Sequence, residues 1–225
     1  MLYPNKQIPK HINTSRELKP LTGLKIYQVC LTMDQLIQII PVLTEEEVDK
    51  LNAYADDHLI LRRSQTLDSG IVAGRTSEEC PLSEDEEITK MVHEKMNLAL
   101  DEYKRRIVNI NDNYNRHPLP GGQDTKSWRE EIRVIQYKPG QEYGYHRDTH
   151  MDKKCKEYHR EISIIIYLTD DFEGGLTTFL HTSYKPRKGY ALIFPSNWCY
   201  IHRGDLVTKG TKRIAVTWYY VDYNK

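Results

Sequence analysis

From Glu131 onward the chain is written as short β-rich runs, EIRVIQY, SIIIYLT, TTFL, YALIF and RIAVTWYYV, broken by KPG, FEGG, KPRKG and TKGT turns. Val, Ile, Thr and aromatic residues suit a pleated surface, and glycine and proline stop each run before it lengthens. Several short strands at this spacing close an antiparallel sandwich or jelly roll. Two helix starts precede them. Thr44-Glu45-Glu46-Glu47 has capping-box form, and Val48, Leu51, Tyr54 and Ala55 follow at helical spacing. Ser83-Glu84-Asp85-Glu86 has the same form and leads into Ile88, Met91, Val92, Leu98 and Ile107, an amphipathic helix of about 20 residues. Helices first and strands after predict an α+β fold, a double-stranded β-helix (jelly roll) core buttressed by N-terminal helices. The expected organisation is a single domain over 1–225: an extension over 1–40, mainly helical support over 41–110, and the jelly-roll core over 130–222. Residues 62–82 and 111–127, rich in Gly, Ser, Thr and Pro, read as loops or a hairpin.

Composition weighs against several classes of function. Lys plus Arg and Asp plus Glu both number 32, so the basic excess expected of a nucleic-acid binder is missing. No apolar run approaches the length needed to cross a bilayer, and the first residues lack the basic-then-apolar pattern of a secretion signal. An intracellular protein with no nucleic-acid or membrane partner is expected. Cys30, Cys80, Cys155 and Cys199 are scattered without a CxxC pair, and read as free thiols.

His146-Arg147-Asp148 is the chemically informative triplet. Residues i and i+2 of a strand share a face, so both side chains can meet one ion. His202, placed after the YALIF run where an opposing strand would begin, can supply a third ligand. Two histidines and one carboxylate leave coordination positions open, as in non-haem Fe(II) oxygenases, whereas a structural zinc site closes with four ligands. An HxD triplet alone is common in a chain with nine histidines; the third histidine and a lysine give it weight. Lys212 shares strand parity with Ile214, Val216 and Trp218, the expected buried face, and Arg213 has the opposite parity. A lysine pointing inward needs an anion to offset its desolvation.

Over roughly residues 40–222 the pattern resembles the prolyl 4-hydroxylase branch of the Fe(II)/2-oxoglutarate dioxygenases. The family's HxD, distal histidine and lysine ten residues beyond match His146, Asp148, His202 and Lys212; its flanking glycine and tryptophan match Gly210 and Trp218. QYKPGQEYGYH matches its RY-x-x-GQ-x-Y-x-x-H run, and Tyr167-Leu168, Gly174-Gly175, Thr177 and Phe179 match its YL-acidic-GGxT-x-F segment. Leu176 stands where the family often has an acidic residue. The resemblance implies that His146, Asp148 and His202 bind Fe(II), and that Lys212, Tyr137 and Thr177 bind 2-oxoglutarate. It implies that Arg75, Ser77, Glu130, Tyr143, Arg160 and Trp218 line a groove for an extended proline-containing peptide. The implied activity is hydroxylation of peptidyl proline with O2, yielding succinate and CO2, with ascorbate as a further cofactor. The residues by themselves leave three alternatives open. The first is the same chemistry on a free amino acid, other small molecule or other protein side chain; the second is oxidative nucleic-acid demethylation. The third is a non-catalytic β-sandwich binding module. Loops 62–82 and 149–160 are candidate lids by composition and placement.

Overall fold

Residue-by-residue alternation along one strand explains the architecture. In the computed structural model, which describes residues 33–65, 74–113, 128–149 and 158–222, strand β7 spans Tyr158–Tyr167. Ile162, Ile164 and Ile166 join one buried cluster, while Ile165 and Tyr167 join another. A strand buried on both faces reads as an unbroken apolar run, as SIIIY does.

The chain before β7 begins with a 3-10 turn, Met33–Leu36, and β1, Gln38–Pro41. Helix α1 (Glu45–His58), β2 (Arg62–Arg63), β3 (Glu78–Pro81) and α2 (Glu87–Ile110) follow, then β4 (Trp128–Arg129), β5 (Arg133–Tyr137) and β6 (Tyr143–His146). After β7 come β8 (Glu173–Gly174), β9 (Thr177–Phe179), β10 (Ser183–Tyr184), β11 (Tyr190–Pro195), β12 (His202–Gly204), β13 (Val207–Lys209) and β14 (Lys212–Asp222). The large sheet has the order β1-β11-β7-β14-β5-β3-β2, with β4 also paired to β14; the small sheet runs β10-β9-β12-β6. Every pairing is antiparallel. The inner face of the large sheet contributes Ile135, Ile165, Leu192, Phe194, Ile214 and Val216 to a core that it shares with Phe179 of the small sheet. Its outer face packs on α1 and α2 through Val48, Leu51, Val92, Met96 and Leu100. This is the predicted jelly roll with helical buttress. The extension ends in β1, an edge strand in register with β11.

Helix α1 starts where expected. The Thr44 hydroxyl accepts from the Glu47 amide at 3.2 Å, and the Glu47 carboxylate accepts from the Thr44 amide at 2.9 Å. The second box is a correction. Helix α2 begins at Glu87, with Glu86 at the N-cap and no side-chain cap, because the Glu86 amide donates to the Ser83 carbonyl and closes a turn where the box would have started the helix. The helix runs 24 residues rather than about 20. Leu98 is a second correction: it is 60% exposed, since the buried stripe passes through Val92, Met96, Ala99, Leu100, Tyr103 and Ile107.

Candidate metal centre

The outer ladder of the small sheet, β12 with edge strand β6, brings the triplet and the distal histidine together. His146, ending β6, and His202, opening β12, are direct cross-strand partners. Asp148 follows two residues after His146 and is buried. The ligand atoms of His146, Asp148 and His202 all lie within 4.8 Å of one another, the only such group among the described residues. His146 Nε2 is 3.5 Å from Asp148 Oδ1, and His202 Nε2 is 3.7 Å from Asp148 Oδ2. Ligands sharing one face of an ion at about 2.1 Å would sit about 3 Å apart, so a small contraction around a cation suffices.

Each imidazole is oriented from behind. His146 Nδ1 faces the Gly144 carbonyl at 2.9 Å, and His202 Nδ1 faces the Tyr200 carbonyl at 3.1 Å. A carbonyl can only accept, so both Nδ1 atoms carry the proton and both Nε2 lone pairs point to the centre. Burial pulls the His202 imidazole down to about 4, outweighing the upward pull of Asp148, so it stays neutral and ready to ligate. For Asp148, burial pushes upward, but the His202 and His146 imidazoles and the Ser163 hydroxyl hold the carboxyl well below the usual carboxylate range. Ser163 Oγ donates to Asp148 Oδ2 at 2.7 Å and also contacts Ser196 Oγ at 2.8 Å. Ser163 is a positioning residue the sequence reading missed; its signal was a hydroxyl opening an isoleucine run at the parity of the inner face.

Strand parity placed Lys212 correctly. It is 2% exposed, and its ammonium donates to the Gly175 carbonyl at 2.7 Å; no carboxylate among the described residues pairs with it. Burial lowers it to about 8, with a smaller opposing effect from Asp205. Arg213 turns the other way, as its parity implied, but packs on α1 rather than facing solvent freely: it bonds Asp56, Asn52 and Gln136. The turn before Lys212 depends on Gly210, whose φ is +75° and where a Cβ would lie 2.9 Å from the Asp171 carbonyl.

Lys212 and Tyr137 are register partners on β14 and β5. Tyr137 is buried, and that burial pushes its phenol up to about 12, so it is a hydrogen-bond donor at any working pH. Thr177 Oγ1 meets the Tyr167 hydroxyl at 2.7 Å, and the Tyr167 ring lies 5.8 Å from Lys212 Nζ. Gly204 was also missed, and nothing in the sequence marks it. A Cβ there would lie 3.9 Å from both Lys212 Nζ and the Tyr137 hydroxyl, so its bareness keeps open the space those two groups face. A buried ammonium with no carboxylate partner among the described residues, a phenol donor and a cleared space fit the tail carboxylate of a 2-oxo diacid; two imidazoles and a carboxylate fit a divalent iron.

Six further predicted residues fall into two banks. On one, the Arg75 guanidinium lies 4.8 Å over the Tyr143 ring, which stacks on His146 at 3.6 Å. Arg75 pairs with Glu79, and Ser77 Oγ, fully buried, donates to Ser64 at 2.9 Å. Within 62–82, β2 and β3 pair antiparallel, and Arg75 and Ser77 are buried. On the other bank, Arg160 and Glu130 form a bidentate ion pair, and the Arg160 guanidinium lies 3.8 Å over the Trp218 ring. Arg160 also reaches the Asp148 carbonyl at 3.3 Å. One bank thus touches His146 and the other Asp148. The centres of the two candidate lids, 66–73 and 150–157, lie outside the described residues.

Comparison with known proteins agrees with this geometry. Residues 132–220 match the model of the 2OG-Fe(II) oxygenase superfamily. A protein of Acanthamoeba polyphaga mimivirus, named as a candidate prolyl 4-hydroxylase, is 36% identical over 107 residues, which span 40% of this chain and 44% of that protein. A PKHD-type hydroxylase of a Picosynechococcus strain is 26% identical over 183 residues, 79% of this chain and 74% of that protein. The viral collagen prolyl hydroxylase of Paramecium bursaria Chlorella virus-1, solved as its 2OG complex, superposes with a TM-score of 0.59 at 27% identity, covering 83% of this chain and 96% of that one.

Proposed function

We infer that this chain, whose residues 132–220 form a 2OG-Fe(II) oxygenase domain of the prolyl hydroxylase type, hydroxylates proline within an extended peptide, consuming 2-oxoglutarate and O2 and releasing succinate and CO2. In this reading α1 and α2 are the support and residues 130–222 the catalytic core. The observation that carries it is the pairing of the His-Asp-His triad with a buried Lys212 that no carboxylate among the described residues pairs with.

His146, Asp148 and His202 would hold the iron, and Lys212, Tyr137 and Thr177 the 2-oxoglutarate tail. Iron(II), when bound, supplies the redox chemistry that couples decarboxylation of the 2-oxo acid to insertion of oxygen into a substrate C–H bond. The chain's own residues orient and exclude water. Phe194 packs edge-on to the His202 ring at 4.8 Å and Phe179 lies 5.4 Å from it, so the inner side of the triad is walled by hydrocarbon. The peptide reading rests on the two banks. A polyproline II segment leaves its carbonyls free for guanidinium groups such as those of Arg75 and Arg160, and its rings suit the aromatic banks of Tyr143 and Trp218. Ascorbate would serve as an accessory reductant. No described helix is long and apolar enough to cross a membrane.

The test is anaerobic titration with Fe(II) and 2-oxoglutarate, then admission of air with a panel of proline-rich peptides. The reading expects iron-dependent 2-oxoglutarate binding, succinate release and a peptide mass gain of one oxygen. Succinate release stimulated by a free amino acid but by no peptide would move the substrate to the small-molecule class; no iron-dependent binding at all would end the oxygenase reading.

A further inference from the structure

Strand parity alone puts Arg160 with Ile162, Ile164 and Ile166 on the helix-facing side of β7. The ladder shows why it is elsewhere. Tyr219 pairs with Ile162 but Tyr220 pairs with Arg160, so Glu161 is an extra residue on β7. A β-bulge of this kind re-aims the side chains beyond it. Arg160 thereby swings to the Ser163 side, over Trp218 and beside Asp148. No residue is added on β14, so Tyr220 keeps the face of Trp218, while Tyr219 points oppositely and donates to Asn97 of α2.

Arg160 and Tyr220 then meet the same carboxylate. Arg160 Nε–H donates to Glu130 Oε1 at 2.5 Å and its NH2 to Oε2 at 2.6 Å, and the Tyr220 hydroxyl donates to Oε1. The Glu130 backbone is itself fixed: its N–H donates to the Trp218 carbonyl at 2.9 Å, and its carbonyl accepts from Thr217 Oγ1 at 2.7 Å and from Arg129 at 2.8 Å. What remains free to rotate is the carboxylate, and through it the plane of the guanidinium. That plane must lie flat on Trp218 at 3.8 Å while NH1 reaches the Asp148 carbonyl at 3.3 Å.

We propose that Tyr220 is a positioning residue for the substrate: its hydroxyl fixes the Glu130 carboxylate so that Arg160 presents one edge to a peptide carbonyl beside the metal ligand Asp148. The proposal rests on the peptide-hydroxylase reading. A third donor on the carboxylate removes the rotation that two bonds to a single partner permit, and a hydrogen bond to a charged group contributes more than a neutral one. When the hydroxyl is lost, the pair slackens, the peptide is held less firmly over the iron, and 2-oxoglutarate is consumed without product.

The test compares wild type, Tyr220→Phe, Glu130→Gln and the double variant on a peptide the wild type hydroxylates, with 2-oxoglutarate affinity and thermal melting measured alongside. Tyr220→Phe is expected to raise the peptide KM about tenfold, to raise succinate released per hydroxylated product, and to leave 2-oxoglutarate affinity unchanged. Glu130→Gln is expected to act in the same direction, and the double variant to be no worse than the worse single one, because both act through one contact. Wild-type KM and coupling in Tyr220→Phe, or additive losses in the double variant, overturn the proposal. Loss of 2-oxoglutarate binding in Tyr220→Phe also overturns it, since the tyrosine would then be a fold element; Glu130→Gln gives the same readouts independently. A wild type that hydroxylates no peptide removes the underlying reading, and is thereby distinguished from failure of the variant alone.

Discussion

Burial pulls the Lys212 ammonium to about 8 from an ordinary 10.5, and that shift has consequences for both binding and stability. The folded chain binds fewer protons than the unfolded chain between these values. The charge therefore costs stability below pH about 8, and the cost is relieved as pH rises toward 10.5. Lys212→Met, which keeps the volume and drops the charge, should raise the stability of the ligand-free protein at pH 7 by about 1–3 kcal/mol in denaturant melts, while abolishing 2-oxoglutarate binding. A tail carboxylate stabilises the ammonium, so binding takes up a proton above pH about 8. Calorimetric affinity for 2-oxoglutarate should be flat with respect to this group below pH 8 and fall about tenfold per unit above it. Gly204→Val should block the same ligand by filling the space before Lys212 and Tyr137, yet leave iron binding intact by metal analysis. Lys212 was legible in the sequence because parity is a local property of a strand. Gly204 was not, since it matters only for what lies across from it, and Ser163 showed its face by parity but not its partner.

Elements differ in how far local sequence decides them. The Thr44 box caps α1 because its partners are three residues apart and nothing distant competes. Thr44→Ala should cost about 1 kcal/mol, lowering the melting temperature by about 2–4 °C with peptide KM unchanged. The Ser83 box has the same form and fails, because Ser83–Glu86 closes a backbone turn and the helix starts only at Glu87. Beside that turn Glu84 pairs with Arg129, 45 residues away in the chain, a contact that no four-residue motif shows. Arg129 also donates to His93 Nδ1 at 2.6 Å, and burial, with the Arg129 charge behind it, holds His93 below its ordinary 6.5. Neutral His93 thus favours the fold at high pH, and that contribution is lost as pH falls below 6.5 and the unfolded chain takes up its proton. Replacing His93 by Gln should flatten the stability profile in the acid range, as measured by denaturant midpoints from pH 7 to 5.

At the scale of the molecule, the two core clusters divide labour: one welds the helices to the large sheet, and the other surrounds the site. Ligands that bind only the folded state stabilise it by mass action, about 2.7 kcal/mol at a hundredfold excess over Kd. Fe(II) with 2-oxoglutarate should therefore raise the melting temperature by several degrees under nitrogen, and in Lys212→Met only the iron part of that rise should remain. By itself the sequence determined the strand-rich jelly roll, its helical buttress, the two histidines and carboxylate, and the inward lysine. All of these follow from period-2 or period-3.6 patterning, or from ligand types at readable spacing. Only the tertiary structure decided how Arg160 reaches the side of Trp218, past a bulge, that Tyr220 joins Glu130 in holding it, that Ser163 supports Asp148 and that Gly204 stands aside for Lys212. Each of those depends on a bulge, a cross-strand partner or an empty space, and such relations are set by the register between segments far apart in the chain.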